Sequence, residues 1–408
     1  VDDPDRRDLA WIPAAITAVR MGRAPEEMRT RLASRLGADD AARWGELWRI
    51  ERARLAYRES DAAIAAGVAW LRATQRPDGR WNECTCGQRA DSVPWNEVGA
   101  TALAVYTLLW CDVRPDDPAI LRGLGVLADA AAEEWQRTYT AALIVMAAAK
   151  FEEAGGVRAA VPRLRRRMED AVRWLCSSQQ ERERNPTGAA PGCWSYHPGM
   201  RWDNSNTQFA ILGLAAGRSA GADVPVYVWQ RALEHWRRCF FGRPRPLGAR
   251  GSGTEQHSGS DVPEGWAYLG APGDPNAARP SASMTAAGIC SILVIRSILE
   301  NRPTREIAQE DGWVGAGIRG LERIHGIPAG GHTDWPMHGL GTYYTLYSIE
   351  RAMVLAGVRR LGEVDWYVDG ANYIMASQRT DGSWWDVADT CFALLFLKRA
   401  TPAVITGD

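Results

Sequence analysis

The sequence predicts an all-α chain whose six helix pairs close into a double ring, an (α/α)6 toroid. Three observations predict it. From Asp61 onward one unit recurs: a charged helix, a polar turn and a second, apolar helix. Each second helix opens near a Thr, with a small or apolar residue three positions on and an aliphatic one seven on, the spacing of one helix face. The terminal repeats are no more polar than the central ones, whereas an open solenoid needs polar capping repeats.

Taken in order, residues 1–60 read as an N-terminal helical extension, with helical stretches over Trp11–Met21, Glu26–Leu36 and Asp40–Tyr57 and no chemistry-bearing motif. Residues 61–400 carry the toroid. Its first helices are expected over Ala62–Gln75, Ile120–Trp135, Arg163–Gln180, Val226–Phe240, Val314–Ile324 and Asp365–Gln378. Their higher charge assigns them to an outer layer wetted on one side. The second helices begin around Thr101, Thr138, Thr207, Thr285, Thr342 and Thr390, and are rich in Ala, Leu, Ile and aromatics. They read as an inner ring, with each Thr placed to cap free backbone N–H groups. Residues 242–283 form a long insertion rich in Gly, Pro and Ser, predicted to cover the rim where the fourth inner helix starts. Residues 180–204 make a second long connection at that rim, and 401–408 are a tail.

Bulk composition limits the partners. With 48 basic and 49 acidic residues there is no electrostatic case for nucleic acid or an anionic membrane. No run approaches 18 uninterrupted apolar residues, so no transmembrane segment is expected. The chain begins at Val1 and shows no signal peptide, which leaves cytoplasmic and exported locations both open. The eight cysteines do not form a disulfide framework. They read as free, mostly buried thiols, with a Cys176–Cys193 bridge as the alternative.

Two segments carry a resemblance. Gln75-Arg-Pro-Asp-Gly-Arg-Trp81 and Gln378-Arg-Thr-Asp-Gly-Ser-Trp384 resemble the glutamine–tryptophan (QW) repeat of squalene–hopene and oxidosqualene cyclases, and Gly192-Cys-Trp194 and Gly265-Trp266 look like degenerate copies. Locally, Gly permits the turn, Gln can bond free backbone groups at a helix end, and the indole packs over it. The alternation over 61–400 is similar to the toroid shared by those terpenoid cyclases and protein prenyltransferase β subunits. The resemblance implies an apolar, isoprenoid-like ligand in the central cavity.

The same resemblance marks a chemical gap. Asp386-Val-Ala-Asp389-Thr390 looks like the class II cyclase motif Asp-x-Asp-Asp followed by Thr, but Ala388 stands where that family has its proton donor, and a methyl group donates nothing. Asp389, Asp386 and Asp203 are then the candidate catalytic carboxylates. Asp389-Thr-Cys391 also resembles the Asp-x-Cys of prenyltransferase zinc sites, and His332, Asp334 and His338 precede the fifth inner helix. The alternative is that Asp389 caps a helix and Cys391 packs in the wall, so no cofactor or tightly bound metal is expected. Cys84-Thr-Cys86-Gly87-Gln88 lacks the spacing of a thioester loop.

If the ring is right, polar residues beside each inner-helix start converge on one mouth. They are Trp95, Asn96, Glu97, Arg137, Tyr139, Trp202, Asp203, Asn204, Asn206, Ser281, Ser283, His338, Tyr343, Asp386 and Asp389. Glu97, Trp202, Asn204, Asn206, His338, Tyr343, Tyr344 and Phe209 are the candidate ligand-binding residues. Tyr106, Phe209, Tyr344, Tyr347 and Phe392 either line a deep pocket or pack as plain core. Glu350-Arg351 is a buried ion pair or lies at the far mouth. Three readings of function follow: binding or processing of an apolar ligand, a non-catalytic binding protein on the same fold, or a glycan-processing barrel with paired carboxylates. A small apolar ligand is the expected partner; a protein partner is not excluded.

Overall fold

The computed structural model describes residues 60–82, 97–180, 192–247, 264–324, 341–362 and 364–401. The N-terminal extension, Cys84 to Gln88, Trp95, Asn96, His332, Asp334 and His338 lie outside the described residues.

Apart from the single turns Ala132–Trp135 and Arg158–Ala160, the described helices are α1 (residues 60–74), α2 (Glu97–Trp110), α3 (Pro118–Asp129), α4 (Thr138–Glu153), α5 (Leu164–Ser178), α6 (Asn204–Ser219), α7 (Val226–Arg238), α8 (Ala282–Glu300), α9 (Thr304–Glu310), α10 (Gly312–Ile324), α11 (Thr342–Ala356), α12 (Trp366–Ser377) and α13 (Val387–Leu397). Helices α2, α4, α6, α8, α11 and α13 each pack on the next, and α13 packs back on α2. The chain is therefore an all-α toroid with a closed inner ring. Helices α1, α3, α5, α7, α10 and α12 form the outer layer. Composition explains the division: α2 is buried without interruption from Val98 to Leu109. In α5 the buried stripe is Leu164, Met168, Ala171, Val172 and Leu175, the spacing of one apolar face. Helix α8, 19 residues with mean hydropathy 1.8, is long and apolar enough to cross a membrane, but 78% of it is buried inside the ring.

The threonines do not cap the inner helices in the way expected. At α6, α8 and α13 the N-cap side chains are Asp203, Ser281 and Asp386, which accept N–H groups from Asn206, Met284 and Asp389. Thr101, Thr207, Thr285 and Thr390 sit one turn inside. Their hydroxyls accept the backbone N–H of Trp81, Trp194, Trp266 and Trp384 at 3.1, 3.1, 3.2 and 3.0 Å. The indole Nε1 of each Trp then donates to a carbonyl near the end of the preceding outer helix: Leu71, Leu175, Trp236 and Ile374, at 2.7–2.8 Å. Each tryptophan is fully buried with both its donors satisfied.

The glutamines join one repeat to the next. Gln75 Nε2 donates to the carbonyls of Gly79 and Ala119. Gln179 does so to Gly192 and Val228, and Gln378 to Gly382 and Ala63. Ala119, Val228 and Ala63 lie at the starts of α3, α7 and α1, so each bond reaches the following outer helix. The last spans 315 residues and closes the ring. Glycine is required in these turns. Gly79, Gly192 and Gly382 have φ of 85°, 104° and 92°, and a Cβ there would meet the carbonyls of Arg122, Arg231 and Ala66 at 2.9, 2.1 and 2.7 Å.

Between α7 and α8 the described limbs of the insertion run 242–247 and 264–281. Phe240–Phe241 pairs antiparallel with Gly265–Trp266. One limb lies on α10, where Arg319 donates to the carbonyls of Arg245 and Pro246. The other brings the Tyr268 carbonyl onto the Asn204 N–H at the start of α6. Cys176 and Cys193 are both free thiols.

Candidate functional site

The toroid has two mouths, one at the N-termini of the inner helices and one at their C-termini. The first carries the residues that the sequence singles out. Asp203, at the start of α6, uses both carboxylate oxygens on Asn206: Oδ1 accepts its N–H and Oδ2 its side-chain amide, each at 2.7 Å. Burial pushes the Asp203 carboxyl up to about 6, against the lowering effect of those two bonds. Around it stand the phenols of Tyr139, Tyr196, Tyr268 and Tyr344. Asn204 faces the wall instead: Nδ2 donates to Ala267 O at 2.8 Å and Oδ1 meets His235 Nε2 at 2.8 Å. Trp202 packs edge-on against the same His235 ring. Asn204 and Trp202 thus both meet His235 in the wall, while Asp203 and Asn206 bond each other and leave Asn206 Oδ1 buried without a hydrogen-bond partner among the described residues.

Asp389 belongs to a second set. It sits in the first turn of α13, next to the cap Asp386, and its carboxyl is pushed up to about 7, first by burial and then by the Asp386 charge. Its charge reaches Tyr343 and Tyr373. Tyr343 donates to Ser377 Oγ at 3.1 Å. Ala388 is buried in the same turn. Cys391 is fully buried, and burial raises its thiol. Among the described residues no group of three His, Cys, Asp or Glu converges as a metal site would require. Glu97 is a third, separate carboxylate, held by Arg76 at 2.5 Å with Arg80 at 4.0 Å.

Below this rim the lumen is bridged by aromatic rings. Tyr139 packs on Phe209 (4.7 Å between centroids), Phe209 on Tyr344 (6.2 Å), Tyr344 on Phe392 (5.6 Å) and Phe392 on Tyr347 (5.5 Å). The bridge is also hydrogen-bonded. Ser205 Oγ accepts from Tyr139 at 2.5 Å and lies 3.1 Å from the Tyr344 hydroxyl, which donates to Gln208 Oε1 at 2.8 Å. Because α6 and α11 are not neighbours in the ring, these bonds span the lumen. The aromatic residues expected either to line a pocket or to pack as core divide: four form this partition, and Tyr106 lines a cavity beyond it.

That cavity opens at the C-terminal mouth. It holds about 780 Å³ and is walled by the C-terminal halves of α2, α4, α6, α8 and α11. Met146, Ala149, Leu212, Ala216, Val294 and Leu355 supply apolar surface, and Trp110, Lys150, Glu152 and Glu153 stand toward the rim. The rim charges are paired. Lys150 contacts Glu153 at 2.8 Å and lies over the Trp110 ring, and Glu152 meets Arg158 and Arg165. In the wall lies Arg351, 4% exposed. Its neighbour Glu350 accepts from Thr401 Oγ1 at 2.7 Å and is raised by burial to about 8, so it is largely uncharged at neutral pH. The pair is buried and at the far mouth, but it is not an ion pair. The sequence singles out Arg351 only as a charge in an apolar helix; it gives no sign that Lys150 and Leu212 line the same cavity.

No family model matches the chain, and no curated protein matches it. Among solved structures it is similar to a variant of the type II terpene cyclase MstE from Scytonema in complex with the product merosterolic acid A. The identity is 14%, the match covers 85% of this chain and 97% of the cyclase, and the TM-score is 0.44.

Proposed function

We propose that this toroid binds an apolar, isoprenoid-like ligand in its central cavity, through the well at the C-terminal mouth. The well carries this reading: it has the volume of a small-molecule site, and its walls are more apolar than polar, with the charged groups Lys150, Glu152, Glu153 and Arg351 among them. Binding is favoured over processing by the aromatic partition. Asp389, Asp386 and Asp203 stand on its far side, and Tyr344 is both stacked and hydrogen-bonded in place. A ligand in the well meets none of them unless the partition opens. Ala388 supports the same reading, since the position matching the cyclase acid carries no proton. Should chemistry occur, Asp389 is the first candidate for general acid, because a carboxyl near 7 keeps its proton on a fair fraction of molecules at neutral pH.

Native mass spectrometry of the purified protein should show a retained lipophilic molecule, and farnesol should bind it in solution. Leu212→Trp, which fills the well, is expected to weaken farnesol at least about tenfold while the helical circular dichroism is kept. Unchanged affinity in a folded Leu212→Trp protein would sink the proposal.

A further inference from the structure

Among the described residues the guanidinium in the wall of the well has no anionic partner. Arg351 Nη1 donates to the Tyr347 hydroxyl at 2.5 Å, and Nε is buried with no hydrogen-bond partner. Among the described residues no carboxylate lies within ion-pair distance of it. The groups that share its electrostatic surroundings are the Tyr347 and Tyr106 phenols, the Cys290 thiol and Glu350, whose only hydrogen bond comes from Thr401. A buried cation without a paired anion is costly, and proteins keep such groups paired or use them. The guanidinium also has the fork of donors that a carboxylate accepts side by side.

We propose that the well is a site for an amphipathic carboxylate, whose head pairs with Arg351 and whose apolar chain lies against Met146, Leu212, Ala216, Val294 and Leu355. The proposal rests on the reading that the well holds an apolar ligand, and adds the charge of its head. One negative charge is the match, because among the described residues one guanidinium in the wall has no anion and Lys150 is already held by Glu153 and Trp110. A polyanionic head would bring more charge than the site neutralises. The helix C-termini around the mouth disfavour anions, but that effect fades within the last turn. Arg351 lies five residues before the end of α11, roughly 7 Å deeper at 1.5 Å per residue. The rim carboxylates Glu152 and Glu153 are neutralised by Arg158, Arg165 and Lys150, so they do not repel an entering anion.

The test compares two probes with the same isoprenoid chain, farnesoate and farnesol, by isothermal titration on the intact protein. Farnesoate should bind wild type at least about tenfold more tightly than farnesol, the scale of a charge-assisted hydrogen bond. Arg351→Gln should bring the ratio to within about twofold, by weakening farnesoate far more than farnesol. Arg351→Met, which keeps volume and removes the charge, should do the same and serves if the Gln variant does not fold. Equal binding of the two probes by wild type overturns the carboxylate proposal and leaves the apolar-ligand reading standing. Loss of both probes from a folded Arg351→Met protein also overturns it, because the residue then shapes the well rather than reads charge. If wild type binds neither probe, both readings fall together.

Discussion

The two mouths of the toroid are made from the same inner helices, yet their polar groups are in opposite situations. At the N-terminal mouth the polar side chains largely bond one another: Asp203 bonds Asn206, Asn204 bonds His235 and Ala267, and Tyr344 bonds Ser205 and Gln208, with Asn206 Oδ1 the buried exception. At the C-terminal mouth the rim charges are paired, but Arg351 deeper in the wall has no anion among the described residues. The difference has a structural cause. Helix starts leave free N–H groups and recruit Asp, Asn and Ser to satisfy them. Polarity at that end is therefore demanded by the fold, whether or not a ligand comes. A charge in the middle of an apolar inner helix answers no such demand. It is the better pointer to binding, even though it is one residue rather than a dense cluster.

The largest expected effect tests the joints that hold the N-terminal mouth together. Trp384 ties α12, α13 and α1, and its neighbour Trp385 is 68% exposed. In urea unfolding, Trp384→Ala should cost about 3–5 kcal/mol and Trp385→Ala under about 0.5 kcal/mol. Similar losses for the two would mean that the joints do not carry the ring.

Glu350 sharpens the comparison at the other mouth. Its folded carboxyl, at about 8, lies above its ordinary 4.5. Its stabilising contribution is therefore complete below about pH 4.5 and is lost as pH rises through about 8. Wild type should lose on the order of 2–4 kcal/mol relative to Glu350→Gln between pH 5 and 9, read from denaturant midpoints at each pH. Parallel profiles for the two proteins would show that Glu350 is ionised throughout, and that Arg351 then has a charged neighbour after all.

A smaller effect concerns Asp389. Asp386→Asn keeps a capping side chain and removes a charge. The Asp389 carboxyl, followed by carbon-13 NMR, should titrate near 7 in wild type and lower in the variant. The drop should be partial, because burial rather than Asp386 is the main cause. An unmoved titration would separate the two carboxylates. The smallest expected signal is catalytic. Wild type should not cyclise a polyprenyl substrate, and Ala388→Asp should yield at most trace turnover, detected by mass spectrometry of extracted products, because one acid does not rebuild a pre-organised site. Turnover by wild type would move function from the C-terminal well to the N-terminal carboxylates.

Helix pairs, their order and their assignment to inner and outer layers were legible in the chain, because apolar periodicity and charge are local properties and the pattern repeats. The turn residues were legible too, though not their bonds. Thr207 and Thr390 read as helix caps, and proved to be acceptors for tryptophan N–H groups while Asp203 and Asp386 did the capping. Candidate site residues were harder. Asn204 and Asn206 are two positions apart, so they point in different directions from one helix, one to His235 and the other back to Asp203.

What the sequence by itself determined is thus the ring. Its six apolar helices can satisfy their burial only by packing on one another, and every repeat states that demand in its own composition. How the described residues are arranged at the two mouths was decided only by the tertiary structure. Tyr344 finds Ser205 and Gln208 at separations of 139 and 136 residues, and so ties α11 to α6 below one mouth. Arg351 meets Leu212 and Met146 from other helices around an open well at the other. Contacts at such distances depend on how the ring closes and how its helices rotate, and no short stretch of sequence carries that information.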